Sequence, residues 1–115
     1  MIELSALEEM FENMRTTTDW NMDGPMLWGY FFTDASSERL ERLSARLQSD
    51  GYRFVEMFDA DVDDGEAPYQ YLHVERAETH SVSTLHERNA ELYALADEFE
   101  VDAYDGMDVG PLANS

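Results

Sequence analysis

The run Met26–Thr33, MLWGYFFT, leaves this chain the least freedom in how it can fold. Apolar and aromatic side chains fall on both parities, so neither face of the segment suits water, and eight residues are too few for a buried helix. The expectation is a strand in the middle of a sheet, covered on both faces. The rest of the chain must then supply its neighbours and its cover.

The flanking patterns do so. Leu4, Leu7, Phe11 and Met14 recur at spacings of three and four, which predicts an amphipathic helix ending near Arg15 with a largely glutamate outer face. Residues 16 to 25, TTTDWNMDGP, read as a connecting loop in which Trp20 fills a gap. After the aromatic strand, Asp34 or Ser36 is placed to cap a helix with Leu40, Leu43 and Leu47 as its buried stripe, supported by the Glu38 and Arg42 pair and stopped by Gly51. Residues 52 to 58, YRFVEMF, and 69 to 77, YQYLHVERA, read as an antiparallel hairpin joined by the charged turn DADVDDGEAP. From Ser83 to Phe99, Leu85, Leu92, Leu95, Ala96 and Phe99 form a helical stripe, with Thr84 and Glu87 at capping-box spacing, and a short strand from Val101 to Tyr104 follows.

Leaving the first helix aside, the order is strand, helix, strand, strand, helix, strand. The expected fold is therefore α+β: a ferredoxin-like, split-βαβ two-layer sandwich with a four-stranded antiparallel sheet, two helices and an extra N-terminal helix. The expected organisation is a helix and linker over 1–25, one α+β domain over 26–110 and a tail over 111–115. A chain of 115 residues with 43% hydrophobic content supplies one core, and with no cysteine that core must hold by packing alone. Two helices cover one side of such a sheet, which leaves the other to water, to the leading helix or to a partner.

Charge narrows the function. Asp and Glu number 26 against 7 basic residues, every one an arginine, for a formal charge of -19. Such a surface repels phosphate backbones and anionic lipid, so direct binding to nucleic acid or membrane is not expected. It attracts basic proteins and speeds their encounter. The same acidity also suits solubility or life in a salty cytoplasm. No apolar stretch approaches the length of a membrane span, and residues 1 to 20, with Glu3, Glu8, Glu9 and Glu12, do not read as a secretory signal, so a cytoplasmic location is expected.

The chemistry-bearing residues point away from catalysis. Asp59, Asp61, Asp63, Asp64 and Gly65 resemble a calcium loop, but its sixth position holds Asp64 and its twelfth Gln70, where glycine and glutamate belong. A solvated hairpin tip is the simpler reading. His73, His80 and His86 share no zinc spacing. Ser81, Ser83 and Thr84 beside His80 and His86 open a helix, so capping accounts for them better than a nucleophilic triad does. No cofactor and no metal is expected. The aromatic residues are more informative: Trp28, Tyr30 and Phe32, with Tyr69, Tyr71 and His73 of the neighbouring strand, are expected to share a face, either open as a platform or covered by the leading helix. RNA-binding platforms of this kind have basic surrounds, and this one would be acidic.

Taken together, the aromatic first strand (Trp28, Tyr30, Phe31, Phe32), the Gly51-Tyr52 step, the acidic hairpin tip and Tyr104-Asp105-Gly106 closing the last strand resemble the ribonuclease E inhibitor family RraB, regulator of ribonuclease E activity B. The likeness runs from about Met26 to Gly110. Met107 stands where the family has tryptophan after Tyr-Asp-Gly, and Asp108 follows. The resemblance implies a cytoplasmic bacterial protein that inhibits ribonuclease E by protein contact and is not an enzyme. Its expected partner is ribonuclease E or another RNA-processing protein, met through Asp61, Asp63, Asp64, Glu66, Tyr69, Tyr71, Tyr104, Asp105, Gly106 and Asp108. An immunity or adaptor protein with an unrelated basic partner, and a carboxylate-dependent hydrolase, are the alternatives. Oligomeric state stays open.

Overall fold

The computed structural model describes residues 2–20 and 24–111, so positions 21–23 of the expected linker and 112–115 of the expected tail lie outside the described residues. Helix α1 spans Leu4–Thr17, strand β1 Met26–Asp34, helix α2 Ser37–Ser49, strand β2 Arg53–Asp59, strand β3 Gln70–Glu78, helix α3 Val82–Glu98 and strand β4 Ala103–Gly110. The four strands form one antiparallel sheet in the order β2-β3-β1-β4. Each crossover through α2 and α3 thus skips one strand, which is the split-βαβ pattern of a ferredoxin-like two-layer sandwich.

Strand β1 is central, but only one of its faces is buried. Trp28, Tyr30 and Phe32 are 0–1% exposed and point into the helical layer, where Leu40, Leu43 and Leu47 of α2, Leu85 and Leu92 of α3, and Leu72 and Val74 of β3 surround them. Leu27, Phe31 and Thr33, on the other parity, stay half-buried on the uncovered side. The expected double cover fails because the leading helix joins the same layer as the others. Leu7, Phe11 and Met14 bury inward, α1 packs on α3, and the Phe11 ring stacks on Trp28 with centroids 6.1 Å apart. Leu4, assigned to the same seam, is 45% exposed. Trp20 is half-buried against the core.

The helix ends have identifiable stops. Ser36 accepts the Arg39 amide at 3.4 Å, while Asp34 accepts the Ser36 amide at 2.8 Å, so both expected capping residues act at the start of α2. At its end Gly51 takes φ +98°, and the amides of Gly51 and Tyr52 bond back to Gln48 and Leu47, a Schellman stop. Helix α3 ends the same way on Glu100, whose φ of +58° is unusual for a residue with a Cβ. Its capping box is Ser81 with Thr84, one turn ahead of the expected Thr84 with Glu87, because the helix already begins at Val82. Asn89 joins Leu85, Leu92 and Ala96 on the buried α3 stripe, where it accepts the Tyr104 hydroxyl, while Leu95 and Phe99 are half-buried.

Strand β4 is longer than expected, and Tyr104-Asp105-Gly106 lies inside it. The register to β1 slips at this point: Tyr104 pairs with Phe32 and Gly106 with Phe31, leaving Asp105 as the extra residue of a β-bulge. Gly106 has φ +134°, a conformation that a side chain disfavours.

Candidate functional site

With three helices on one side, the opposite face of the sheet carries no element of the described chain. Its membership follows from register, because paired residues in adjacent strands point the same way. Phe31 faces His73, and the two rings stack with centroids 4.3 Å apart. Phe58 faces Tyr71, and these rings stack at 5.1 Å, with Tyr69 tilted against Tyr71 at 5.8 Å. Phe58 stays 37% exposed on edge strand β2. An aromatic band therefore crosses β2, β3 and β1.

This is not the expected platform. Trp28, Tyr30 and Phe32, expected to share a face with Tyr69, Tyr71 and His73, are paired by the register with Arg76, Val74 and Leu72 on the buried side. The leading helix therefore covers only the Trp28 end of that set, and the rings left open are Phe31, Phe58, Tyr69, Tyr71 and His73. Phe31 and Phe58 are the members that sequence reasoning missed. Strict alternation from Phe32, with one residue allowed for the bulge at Val55, was the signal that could have found them.

Carboxylates line the band. Gly29 on β1 pairs with Asp108 of β4, and a Cβ added at Gly29 would come within 2.4 Å of the Asp108 carboxylate and 2.8 Å of His73 Nε2. The missing side chain lets the Asp108 carboxylate and the His73 ring both reach over the middle strand. Glu56 faces His73 from β2. Asp105, turned out by its bulge, shares a shallow depression with Thr33 and Tyr69. The Tyr71 hydroxyl is held above the ordinary phenol range, first by the neighbouring Tyr69 hydroxyl and next by the Asp105 charge. Arg53 is the cation of this face, and it is ion-paired with Glu75. Arg39, Arg42, Arg46, Arg76 and Arg88 are likewise ion-paired, on or beside the helical layer. Glu56, Asp105 and Asp108 have no ion-pair partner among the described residues, so the face carries uncompensated negative charge.

Among the residues expected at a partner-binding site, the sheet brings Tyr69, Tyr71, Asp105, Gly106 and Asp108 onto or beside this one face. Asp61, Asp63, Asp64 and Glu66 are exposed in the loop between β2 and β3. That loop grows from the aromatic band, since Asp59 pairs with Gln70 and the Ala60 amide bonds to Tyr69 O at 3.0 Å. Tyr104 does not join them. It is 4% exposed in the core, its hydroxyl donating to Asn89 Oδ1 at 2.7 Å and raised in pKa by burial and then by Tyr93 and Tyr52.

A second polar cluster sits on the buried side, and sequence reasoning did not foresee it. The Glu78 carboxylate accepts the Tyr30 hydroxyl at 2.8 Å and Arg88 at 2.6 Å, and His80 Nε2 lies 3.3 Å away. Burial alone would raise the Glu78 pKa, but hydrogen bonds from His80, Tyr30 and Arg88 outweigh it and hold the group at about 2. Arg76 and Arg88 both lie over the Tyr52 ring. His80 Nδ1 lies 3.0 Å from Thr84 Oγ1, and Ser81 and Thr84 are committed to the α3 cap. The carboxylate is fully engaged by its neighbours, so the cluster ties β3 to β1 and α3. Among the described residues no group of His, Asp and Glu is arranged to hold a metal ion, and no helix is long and apolar enough to cross a membrane.

Comparison with known families gives a match to RraB, regulator of ribonuclease activity B, over residues 5–109. No curated protein matches the chain. The family match takes in α1 and every later element, and the chain belongs to the RraB family. That family regulates ribonuclease activity by protein binding and is a regulator, not a catalyst.

Proposed function

We propose that this RraB family member binds ribonuclease E, or another RNA-processing protein, through its carboxylate-covered surface and lowers RNA cleavage by occupying a basic region that RNA would otherwise use. The observation that carries the reading is the formal charge of -19 on a member of a ribonuclease-regulating family. Two features of the surface support it. The arginines other than Arg15 are ion-paired with the chain's own carboxylates, so the acidic loop and the open face keep their charge for a partner. The described surface also contains no unpaired cationic stripe for a phosphate backbone, so inhibition proceeds through the protein and not through the substrate.

A nucleic acid and this chain then compete for the same basic ground. Steered association brings the acidic protein to that ground quickly, and contacts at the interface set how long it stays. The test is cleavage of a labelled RNA by ribonuclease E with increasing amounts of this protein. Inhibition that weakens as RNA concentration rises is expected. Cleavage unchanged at a large excess of the protein would end the reading for this enzyme.

A further inference from the structure

The rings on the open face fall into two groups, Phe58 with Tyr71 and Phe31 with His73. Tyr71 and His73 are alternate residues of β3, so the two groups are offset by about 6.7 Å along the strand. Each has a carboxylate beside it: Asp105, which shares a depression with Tyr69 and whose charge reaches the Tyr71 hydroxyl, and Asp108 near His73 with Glu56 opposite. The partner of such a face must be cationic, flat enough to lie on a ring, and able to donate to a carboxylate at the ring's edge.

Arginine meets all three demands. Its guanidinium stacks on aromatic faces and offers a planar fork to a carboxylate, while a lysine ammonium is a strongly hydrated point charge that does neither as well. A second copy of this chain is disfavoured, because its -19 would face the same acidic surface. RNA is opposed by the same charge. An extended peptide has the right repeat, since its alternate side chains are also about 6.7 Å apart.

We infer that the open sheet face receives an extended, arginine-bearing segment of the partner protein, with arginines at alternate positions seated on the Phe58–Tyr71 and Phe31–His73 ring pairs and directed to Asp105 and Asp108. Gly29 then has a purpose: with no side chain on the middle strand, Asp108 and His73 close over it. The inference rests on the protein-binding reading above and assigns that binding to one face.

The test is fluorescence anisotropy of labelled peptides that differ only in an Arg-Ser-Arg, Lys-Ser-Lys or Ala-Ser-Ala centre, titrated with the full chain. The arginine peptide is expected to bind about tenfold more tightly than the lysine peptide and far more tightly than the alanine one. Asp108→Asn and Asp105→Asn, at exposed positions that leave the core intact, should each weaken the arginine peptide about fivefold. Tyr71→Ala should do the same, with its melting curve as a check on folding. Equal affinity for the arginine and lysine peptides, or face variants that bind as the parent does, would overturn the inference. The same variants titrated against ribonuclease E separate the two claims. Parent-like binding by the face variants removes this face and leaves the proposed function. Failure of the parent itself to bind ribonuclease E, with the arginine peptide still held by the face, removes that function and leaves the face.

Discussion

Replacing Glu78 by glutamine keeps the shape of the side chain and removes its charge from the middle of the buried cluster. The carboxylate is 9% exposed and serves Tyr30, His80 and Arg88 together, with Arg76 Nε 3.9 Å from it. Glutamine offers one acceptor oxygen, so either Arg88 or the Tyr30 and His80 side must meet an amide NH2. The difference between the ordinary value of 4.5 and about 2 sets an upper bound of ~3 kcal/mol on what the charge contributes. Allowing for screening by nearby solvent, we expect Glu78→Gln to cost ~2 kcal/mol at pH 7, a Tm lower by about 8 °C in a chain of this size. Because the folded-state value is depressed, the stabilisation is complete above pH 4.5 and is lost as the pH falls toward 2. Urea denaturation of parent and variant at fixed ionic strength, followed by circular dichroism from pH 7 down to pH 2.5, measures this. The many other carboxylates titrate in both proteins and cancel in the difference. A gap between the two proteins that stays constant down to pH 2.5, or no gap at pH 7, would refute the reasoning.

Three further outcomes follow from the packing. Asp34 is fully buried and accepts the amides of Ser36 at 2.8 Å and Asp102 at 3.0 Å, so Asp34→Asn turns an NH2 toward one of those donors and should cost ~2 kcal/mol by denaturant titration. Phe11 is 2% exposed against Trp28, and Phe11→Ala should cost ~3 kcal/mol, with amide exchange rising first in α1. Glu100 holds a left-handed conformation at φ +58° that glycine adopts freely, so Glu100→Gly should stabilise the chain by ~0.5 kcal/mol, seen as a higher Tm.

What could be read from the sequence, and what could not, divides along one physical line. Helices α2 and α3 and the β2–β3 hairpin were legible because leucine spacing, Gly51 and a charged turn are local signals. The sheet order followed from the sequence of elements and the rule that crossovers skip a strand. What failed needed register. Trp28, Tyr30 and Phe32 look like partners of Tyr71 and His73 in a list of aromatics, yet one residue of offset puts them on opposite faces, and only pairing decides which. Tyr104-Asp105-Gly106, which the family resemblance places at the close of the last strand, here makes a bulge, and β4 continues to Gly110. The Glu78 cluster joins residues from β1, β3 and α3, with Tyr52 beside it, and no local pattern announces such a meeting. At the candidate site the carboxylates Asp105 and Asp108 were found by resemblance, while Phe31, Phe58, Glu56 and the bare Cα of Gly29 emerged only from the paired strands.

An acidic surface that docks on a cationic protein target must lose its hold as salt rises. The most direct measurement of that docking is the dissociation constant of the full chain with ribonuclease E at salt concentrations from about 50 to about 300 mM. Screening shortens the reach of exposed charges over that range from about 14 to 6 Å, so affinity should fall by at least about tenfold, with most of the loss in the association rate. Binding that holds its strength across the range, or no binding at the lowest salt, would contradict the account.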